Sequence, residues 1–154
     1  MRLTKIKEAL NILEKITKKN KKKKCFLISN TSKKINKPYF VTTIRESKKS
    51  FYCGAVVFEN KAAEEIAKQI DGKVDYVYVD LEKKISNKKD KLVNTERCVK
   101  ENTKTSIIKN YKSNDITVNS IETFINDYFA NDPRGVGGKS ILIIGSGNIG
   151  SKVA

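Results

Sequence analysis

Apolar side chains recur along the chain at two different periods, one typical of helices and one typical of strands. Near the start they lie three or four positions apart, at Leu3, Ile6, Leu10, Leu13 and Ile16. This spacing predicts an amphipathic helix over residues 4–19 with one face toward a core. Shorter apolar runs then predict strands at 25–29 and 39–44. A third run at 51–58 fits either a strand or a helix, because Gly54 interrupts it.

A second helix and a strand follow in direct succession. Asn60 is a suitable N-cap, Gly72 suits the position just after a helix, and the apolar residues between them share one face: Ala63, Ile66, Ala67 and Ile70. Residues 74–81 then alternate in polarity, as a strand does. This order resembles the αβ crossover of a mixed or parallel sheet. A further short helix or strand is expected around Ile107 and Ile108.

The second half of the chain contains one clear helical pattern and one clear boundary. Apolar residues of the segment 119–130 fall on one helical face: Ile121, Phe124, Ile125 and Phe129. Asn119 and Glu122 have the spacing of a capping box, which predicts that the helix begins there. The segment 131–139, Asn-Asp-Pro-Arg-Gly-Val-Gly-Gly-Lys, has the composition of a connection between domains.

These patterns together predict an α/β protein. An N-terminal α/β domain with a mixed or parallel sheet is expected over 1–132, followed by a linker at 133–139. The remaining residues, 140–154, are expected to begin a second domain.

That last segment carries the most informative motif of the chain. An apolar run at 141–144 predicts a buried parallel strand. It leads into a G-x-G-x-x-G sequence made of Gly145, Ser146, Gly147, Asn148, Ile149 and Gly150. Strand, glycine turn and helix start are the first part of a dinucleotide-binding βα unit, as in a Rossmann domain.

Each glycine of that motif has its own mechanical task. Gly145 permits the tight turn, Gly147 lets the backbone approach a pyrophosphate, and Gly150 allows the helix to pack on the strand. The six residues of the turn are therefore expected to bind the phosphates of NAD or NADP. The alternative is a glycine-rich turn without a ligand. Only four residues follow Gly150, so we expect the chain to be the front part of a longer protein and to be inactive alone.

The formal charge of +15 raises the question of nucleic-acid binding. The basic residues are mostly lysines spread along the chain, and arginine, which recognises phosphates and guanine edges better, occurs only four times. The one dense run, residues 18–24, is interpreted as a solvated loop, with a polyanion-binding patch as the alternative. Nucleic acid is therefore not the expected partner.

Other function classes are limited by what the sequence lacks. It contains no histidine, and its three cysteines (Cys25, Cys53 and Cys98) show no C-x-x-C spacing. We therefore expect neither a metal site, nor a disulfide framework, nor Ser-His or Cys-His catalysis, and expect the cysteines to pack as small apolar residues. No apolar stretch approaches the length of a membrane span or of a signal-peptide core. Because no disulfide framework is expected, the expected location is the reducing cytoplasm.

The segment before the glycine turn extends the pattern. It contains Asn114-Asp115-Ile116-Thr117, a helix through Phe129, and Gly138-Lys139 before the strand. From residue 112 onward the chain thus resembles the two-domain NAD(P)-dependent dehydrogenases with an amino-acid-dehydrogenase-like N-terminal domain, such as shikimate dehydrogenase and methylene-tetrahydrofolate dehydrogenase. The resemblance implies an N-terminal α/β domain with the substrate pocket, a long helix that crosses to a Rossmann domain, and chemistry in the cleft between the two domains. The Thr and Gly of the shikimate dehydrogenase Asn-Thr-Asp-Gly sequence are not in place, and its serine-rich substrate loop is not found.

Candidate catalytic residues follow from this arrangement. Lys112 and Asp115 could move a proton from a substrate hydroxyl during hydride transfer, although a solvated lysine and a helix-entry carboxylate are the plainer interpretation. Asp80, at the end of a predicted strand, is a further candidate. The expected function is an NAD(P)-dependent oxidoreductase acting on a small polar metabolite. The alternatives are a basic module or remnant that contacts a polyanion, and a Rossmann protein for another nucleotide ligand such as a sugar nucleotide or S-adenosylmethionine.

Overall fold

The computed structural model describes residues 3–31, 36–82, 94–145 and 147–154, and the chain divides into two units, Met1–Tyr111 and Lys112–Ala154. The described elements, in chain order, are α1 (Thr4–Asn20), β1 (Lys23–Asn30), β2 (Tyr39–Val41), β3 (Arg45–Glu46), β4 (Ser50–Val57), α2 (Asn60–Ile70), β5 (Tyr76–Asp80), α3 (Thr95–Asn102), β6 (Ile107–Tyr111), α4 (Ser113–Tyr128) and α5 (Gly150–Val153). The predicted boundary at 131–139 lies inside the second unit.

The first unit is built on a six-stranded mixed sheet with the order β2-β4-β1-β5-β6, and β3 pairs with β4 beside this path. Strand β1 is parallel to both β4 and β5, and β5 is parallel to β6. Strands β2 and β3 are antiparallel to β4. The predicted α/β class with a mixed sheet is therefore confirmed.

One face of this sheet forms the core of the first unit. Alternate residues of the three central strands are buried there: Phe26, Ile28, Cys53, Ala55, Val57, Val77 and Val79. They join apolar residues of α1, α2 and α3 in a single cluster, and these include Ile6, Leu13, Ile66, Ile70 and Val99. The strands alternate buried and less buried residues because side chains of a strand point to opposite faces in turn.

Most predicted elements of this unit are present with small differences at their ends, but the strand predicted over 39–44 ends at Val41, and a separate short strand follows at Arg45–Glu46. Helix α2 begins at Asn60, but Glu59 is its N-cap, and the Asn60 carboxamide oxygen instead accepts a hydrogen bond of 2.9 Å from the Asn94 N–H. Gly72 has the positive φ of +71° expected after the helix. The ambiguous segment 51–58 belongs to β4, where a Cβ on Gly54 would lie 2.5 Å from the Leu27 carbonyl oxygen.

The lysine run 18–24 is not the loop that we expected. Most of it forms the end of α1 and the start of β1, and Lys21 has the left-handed φ of 51° that ends the helix. Four of its lysines pair with described acidic side chains, and the shortest of these pairs are Lys24 with Glu14 at 2.6 Å and Lys22 with Glu46 at 2.5 Å. Part of its positive charge is therefore already balanced within the unit.

The second unit differs from the prediction at two places. Helix α4 begins at Ser113, so Asn119 and Glu122 lie inside it and the predicted capping box is wrong. No residue of α4 is buried, and Phe124 is 72% exposed. The segment 141–144, predicted as a strand, pairs with no other strand among the described residues, and Leu142 and Ile144 are 85% and 92% exposed. A strand needs a partner for its backbone groups, and the apolar run alone does not provide one.

Within the described part of the chain, no helix combines the length and the apolar character that crossing a membrane requires.

Candidate functional site

The glycine turn that follows residues 141–144 holds two glycines in positions that exclude other residues. Gly145 has a φ of +116°, which residues with a side chain rarely adopt. A Cβ on Gly150 would lie 1.9 Å from the Gly145 carbonyl oxygen, so the start of α5 approaches the turn closely. These two glycines are required by the conformation of the turn itself.

Gly147 is different, because its surroundings do not require a glycine. A Cβ there would meet no atom of the described residues within 4 Å. The space beside its backbone is open. This is the position at which the motif predicts close approach of a pyrophosphate.

The backbone N–H groups near the end of the turn and in α5 fall into two sets, those that donate to a described carbonyl and those that do not. Those of Ser151, Lys152 and Val153 donate to the carbonyls of Gly147 and Ile149 at 2.9–3.1 Å, as a helix start does. Those of Asn148 and Ile149 donate to no described residue. Ser146, the remaining predicted phosphate contact, lies outside the described residues.

Lys112 and Asp115, the candidate proton-transfer pair, lie at the start of α4. Lys112 is the exposed residue before the helix, and Asp115 is in its first turn. Asp115 accepts a hydrogen bond from the ammonium group of Lys152 in α5 and forms no ion pair with Lys112 among the described contacts. The hydrogen bond from Lys152, with the charges of Lys152 and Lys112, lowers the pKa of Asp115. The structure thus brings Asp115 to the helix that follows the glycine turn. The catalytic role of Lys112 and Asp115 remains a prediction.

A second pair stabilises the connection between α4 and residues 141–144. The Asp132 carboxylate accepts hydrogen bonds from the Lys139 ammonium group and from the Arg134 N–H, the latter at 2.9 Å. These two bonds lower the pKa of Asp132. The Lys139 ammonium group also lies 5.3 Å from the centre of the Phe129 ring. This pair has a structural explanation that needs no ligand.

Polar side chains of the first unit gather where parallel strands end. Asp80, at the end of β5, is 1% exposed and accepts a hydrogen bond of 3.0 Å from the Glu82 N–H. Asn30, at the end of β1, is 2% exposed and donates to the Glu82 carbonyl at 2.8 Å and to the Thr95 hydroxyl at 2.7 Å. The cluster joins two strand ends to the start of α3. Of its members, sequence reasoning singled out only Asp80.

Tyr111, at the end of β6, was also missed, because the sequence did not decide between helix and strand around Ile107. Its register partner is Asp80, and it lines the same groove as Ser29 of β1. Burial and then the negative charge of Asp80 raise the pKa of Tyr111 to about 12, although the neighbouring Ser29 acts to lower it. The hydroxyl is therefore protonated at neutral pH.

All three cysteines are buried and unbridged. Burial raises the pKa of Cys53 to about 12 and that of Cys98 to about 11, so neither carries a thiolate at neutral pH. Cys53 and Cys98 belong to the apolar core, as expected. The residues that the structure describes contain no group of three or more side chains suited to hold a metal ion.

Comparison of the chain with protein-family models, curated proteins and solved structures found no match.

Proposed function

We propose that this chain belongs to an NAD(P)-dependent oxidoreductase, in which the turn from Gly145 to Gly150 binds the pyrophosphate of NAD or NADP. The first unit would carry the small polar substrate. A bound nicotinamide would supply the hydride chemistry, and the protein would supply binding and orientation.

The contrast among the three glycines is the observation that supports this proposal most. Gly145 and Gly150 are explained by φ and by the close backbone contact between them. Gly147 has no such explanation, since an alanine would fit there without a clash. A ligand that approaches the backbone closely would explain why a glycine occupies this position. The N–H groups of Asn148 and Ile149 are suitable donors for phosphate oxygens.

The proposed proton-transfer residues have less support. The Asp115 carboxylate is held by Lys152, and a carboxylate with a lowered pKa is a weak base at neutral pH. Its ion pair instead suggests a positioning role, in which α4 holds the helix that follows the glycine turn. Lys112, which is exposed, remains the better candidate of the two for proton transfer.

The test is an NMR titration of the ¹⁵N-labelled chain with four ligands: NAD, NADP, S-adenosylmethionine and UDP-glucose. Amide shifts at Asn148, Ile149 and Gly150 with either dinucleotide, and smaller shifts with the other two, are expected. We expect weak binding, because α5 has only four residues and residues 141–144 have no strand partner in the described part of the chain. Shifts of these amides with S-adenosylmethionine alone would favour the other nucleotide class. No shift at the turn with any ligand would refute the proposal.

A basic polyanion-binding module is the alternative from a different class. Several lysines of the run 18–24 are engaged with Glu14 and Glu46, which weakens that interpretation. We expect any nucleic-acid binding to be weak, independent of sequence and strongly reduced by salt. Fluorescence anisotropy with two unrelated oligonucleotides at physiological salt measures this, and tight, sequence-selective binding would favour the module instead.

A further inference from the structure

A groove of about 220 Å³ lies on the first unit, where it is lined by residues of β1, β3, β4 and β6 and of the segment between β2 and β3. Its lining combines one arginine, several hydroxyl groups and an apolar surface: Leu27, Ser29, Thr42, Thr43, Arg45, Tyr52, Cys53, Gly54, Ala55 and Tyr111. The volume equals that of roughly seven water molecules, so an occupant would be small.

Gly54 helps to create this groove. A side chain is excluded there because a Cβ would lie 2.5 Å from the Leu27 carbonyl oxygen. The Gly54 N–H donates to the Thr42 hydroxyl at 2.8 Å, and the Gly54 carbonyl accepts from the Thr42 N–H, also at 2.8 Å. These two bonds hold the segment that carries Thr42 and Thr43 at the rim of the groove. At Gly54 itself, no side chain fills the groove.

Arg45 gives one end of the groove a positive charge. It is the register partner of Tyr52, and it forms no ion pair with a described carboxylate. The neighbouring Glu46 is engaged by Lys22 at 2.5 Å. The guanidinium group is planar and can donate two parallel hydrogen bonds to one carboxylate.

The other end of the groove has the opposite character. Tyr111 and Ser29 line it with their hydroxyl groups, and the negative charges of Asp80 and Glu82 act on the tyrosine hydroxyl. In the sheet, β6 and β3 lie on opposite sides of β1, so Tyr111 and Arg45 line opposite ends of the groove. A second anionic group would be repelled here, whereas a hydroxyl or carbonyl group could hydrogen-bond.

We propose that the groove binds a small organic monocarboxylate, with its carboxylate on Arg45, its apolar body over Leu27 and Tyr52, and a hydroxyl or carbonyl near Ser29 and Tyr111. The inference does not depend on the dinucleotide proposal, because all of these residues lie in the first unit.

Three probes of equal chain length test the two ends of the groove: butyrate, butyramide and 4-hydroxybutyrate. Titrated into the ¹⁵N-labelled full chain, butyrate is expected to shift the amides of Ser29, Thr43 and Gly54, with an affinity in the millimolar range. Butyramide, which lacks the charge, is expected to bind at least about tenfold more weakly. The 4-hydroxy compound is expected to bind more tightly than butyrate, and Tyr111→Phe to reduce that advantage.

Arg45→Gln is expected to weaken butyrate binding at least about tenfold, and Arg45→Lys by less, because lysine keeps the charge without the planar fork. Arg97→Gln is the matched control. Arg97 is exposed on α3 and pairs with Glu101, so the same charge is removed elsewhere and binding should stay within about twofold. Because Arg45 and Arg97 are both exposed, neither substitution is expected to disturb folding. A difference in butyrate binding between the two variants therefore reports on the groove.

Three results would overturn this inference. The first is the absence of any shift at the groove up to saturating butyrate. The second is equal binding of butyrate and butyramide, or equal loss in the Arg45→Gln and Arg97→Gln variants. The third is a preference of the groove for inorganic phosphate over butyrate, which would assign Arg45 to a different ligand.

Discussion

The two units of this chain differ in what defines their structure. In the first unit, three helices and the central strands share one buried apolar cluster. In the second, no residue of α4 or α5 is buried, and its specific contacts include turns and ion pairs that are exposed or half-buried. Burial of apolar side chains stabilises the first unit, whereas turns and ion pairs between nearby residues define the conformation of the second. A single substitution should therefore cost much more in the first unit than in the second.

The largest expected contrast concerns two phenylalanines. Phe26 is fully buried in β1, and Phe124 is 72% exposed on α4. Phe26→Ala should lower the free energy of unfolding by about 3–5 kcal/mol through lost burial and a cavity, whereas Phe124→Ala should stay within about 0.5 kcal/mol. Urea unfolding followed by circular dichroism measures both. Similar losses would show that Phe124 has an apolar environment in solution.

The two units also differ in what an alanine should cost at a glycine, Gly54 in the first unit and Gly147 in the second. Gly54→Ala places a Cβ against the Leu27 carbonyl and should destabilise the chain by about 1–3 kcal/mol. Gly147→Ala meets open space and should change stability by less than about 0.5 kcal/mol. The same unfolding experiment applies. A cost at Gly147 that equals the cost at Gly54 would remove the argument that this glycine is reserved for a ligand.

A smaller contrast lies in the response to acid. Burial tends to raise the pKa of Asp71, but hydrogen bonds from the N–H groups of Ser106, Lys104 and Thr105 at 2.8–2.9 Å outweigh it, so the pKa is lowered. A carboxyl with a lowered folded-state pKa stabilises the fold above its unfolded pKa, and that contribution disappears as pH falls through the folded value. The stability difference between the chain and Asp71→Asn should therefore be present near pH 6 and shrink below about pH 4.

The matched carboxylate of the second unit is Asp115, whose pKa is lowered by its exposed bond with Lys152. The stability that this carboxylate contributes is likewise lost as the pH falls. Because solvent screens the exposed pair, the contribution is small, and Asp115→Asn should change the unfolding midpoint very little at any pH. Urea midpoints of both variants between pH 2 and 7 make the comparison. A larger acid-dependent loss at Asp115 than at Asp71 would contradict the view that the first unit carries the stability.

These contrasts also explain how far the sequence could predict the structure. Helix α1 and strand β1 were predictable because their apolar spacing reflects real burial. The start of α4 was predicted wrongly, because the predicted apolar stripe begins at Ile121, whereas the mostly polar segment 113–120 already forms part of the helix. The apolar run 141–144 resembles a buried strand, but strand pairing depends on a partner that a local pattern does not contain.

The candidate sites divide in the same way. The glycine turn was found because each of its requirements is local: a positive φ at Gly145 and a close contact at Gly150. The groove residues Ser29, Arg45 and Tyr111 were not found, because they are distant in sequence and meet only through the order of β3, β4, β1 and β6. No spacing rule connects them. Asp80 was recognised at its strand end, whereas its partners were not.

The proposed role of the glycine turn is tested most directly by titrating NAD into three forms of the chain and following the amides of Asn148 and Ile149. The forms are the unchanged chain, Gly147→Val, and Ser140→Val, which adds a valine at an exposed position before the turn. The account predicts that Gly147→Val weakens binding at least about tenfold, because its side chain blocks backbone approach to the pyrophosphate, while Ser140→Val leaves binding within about twofold. Equal binding by all three forms would contradict it.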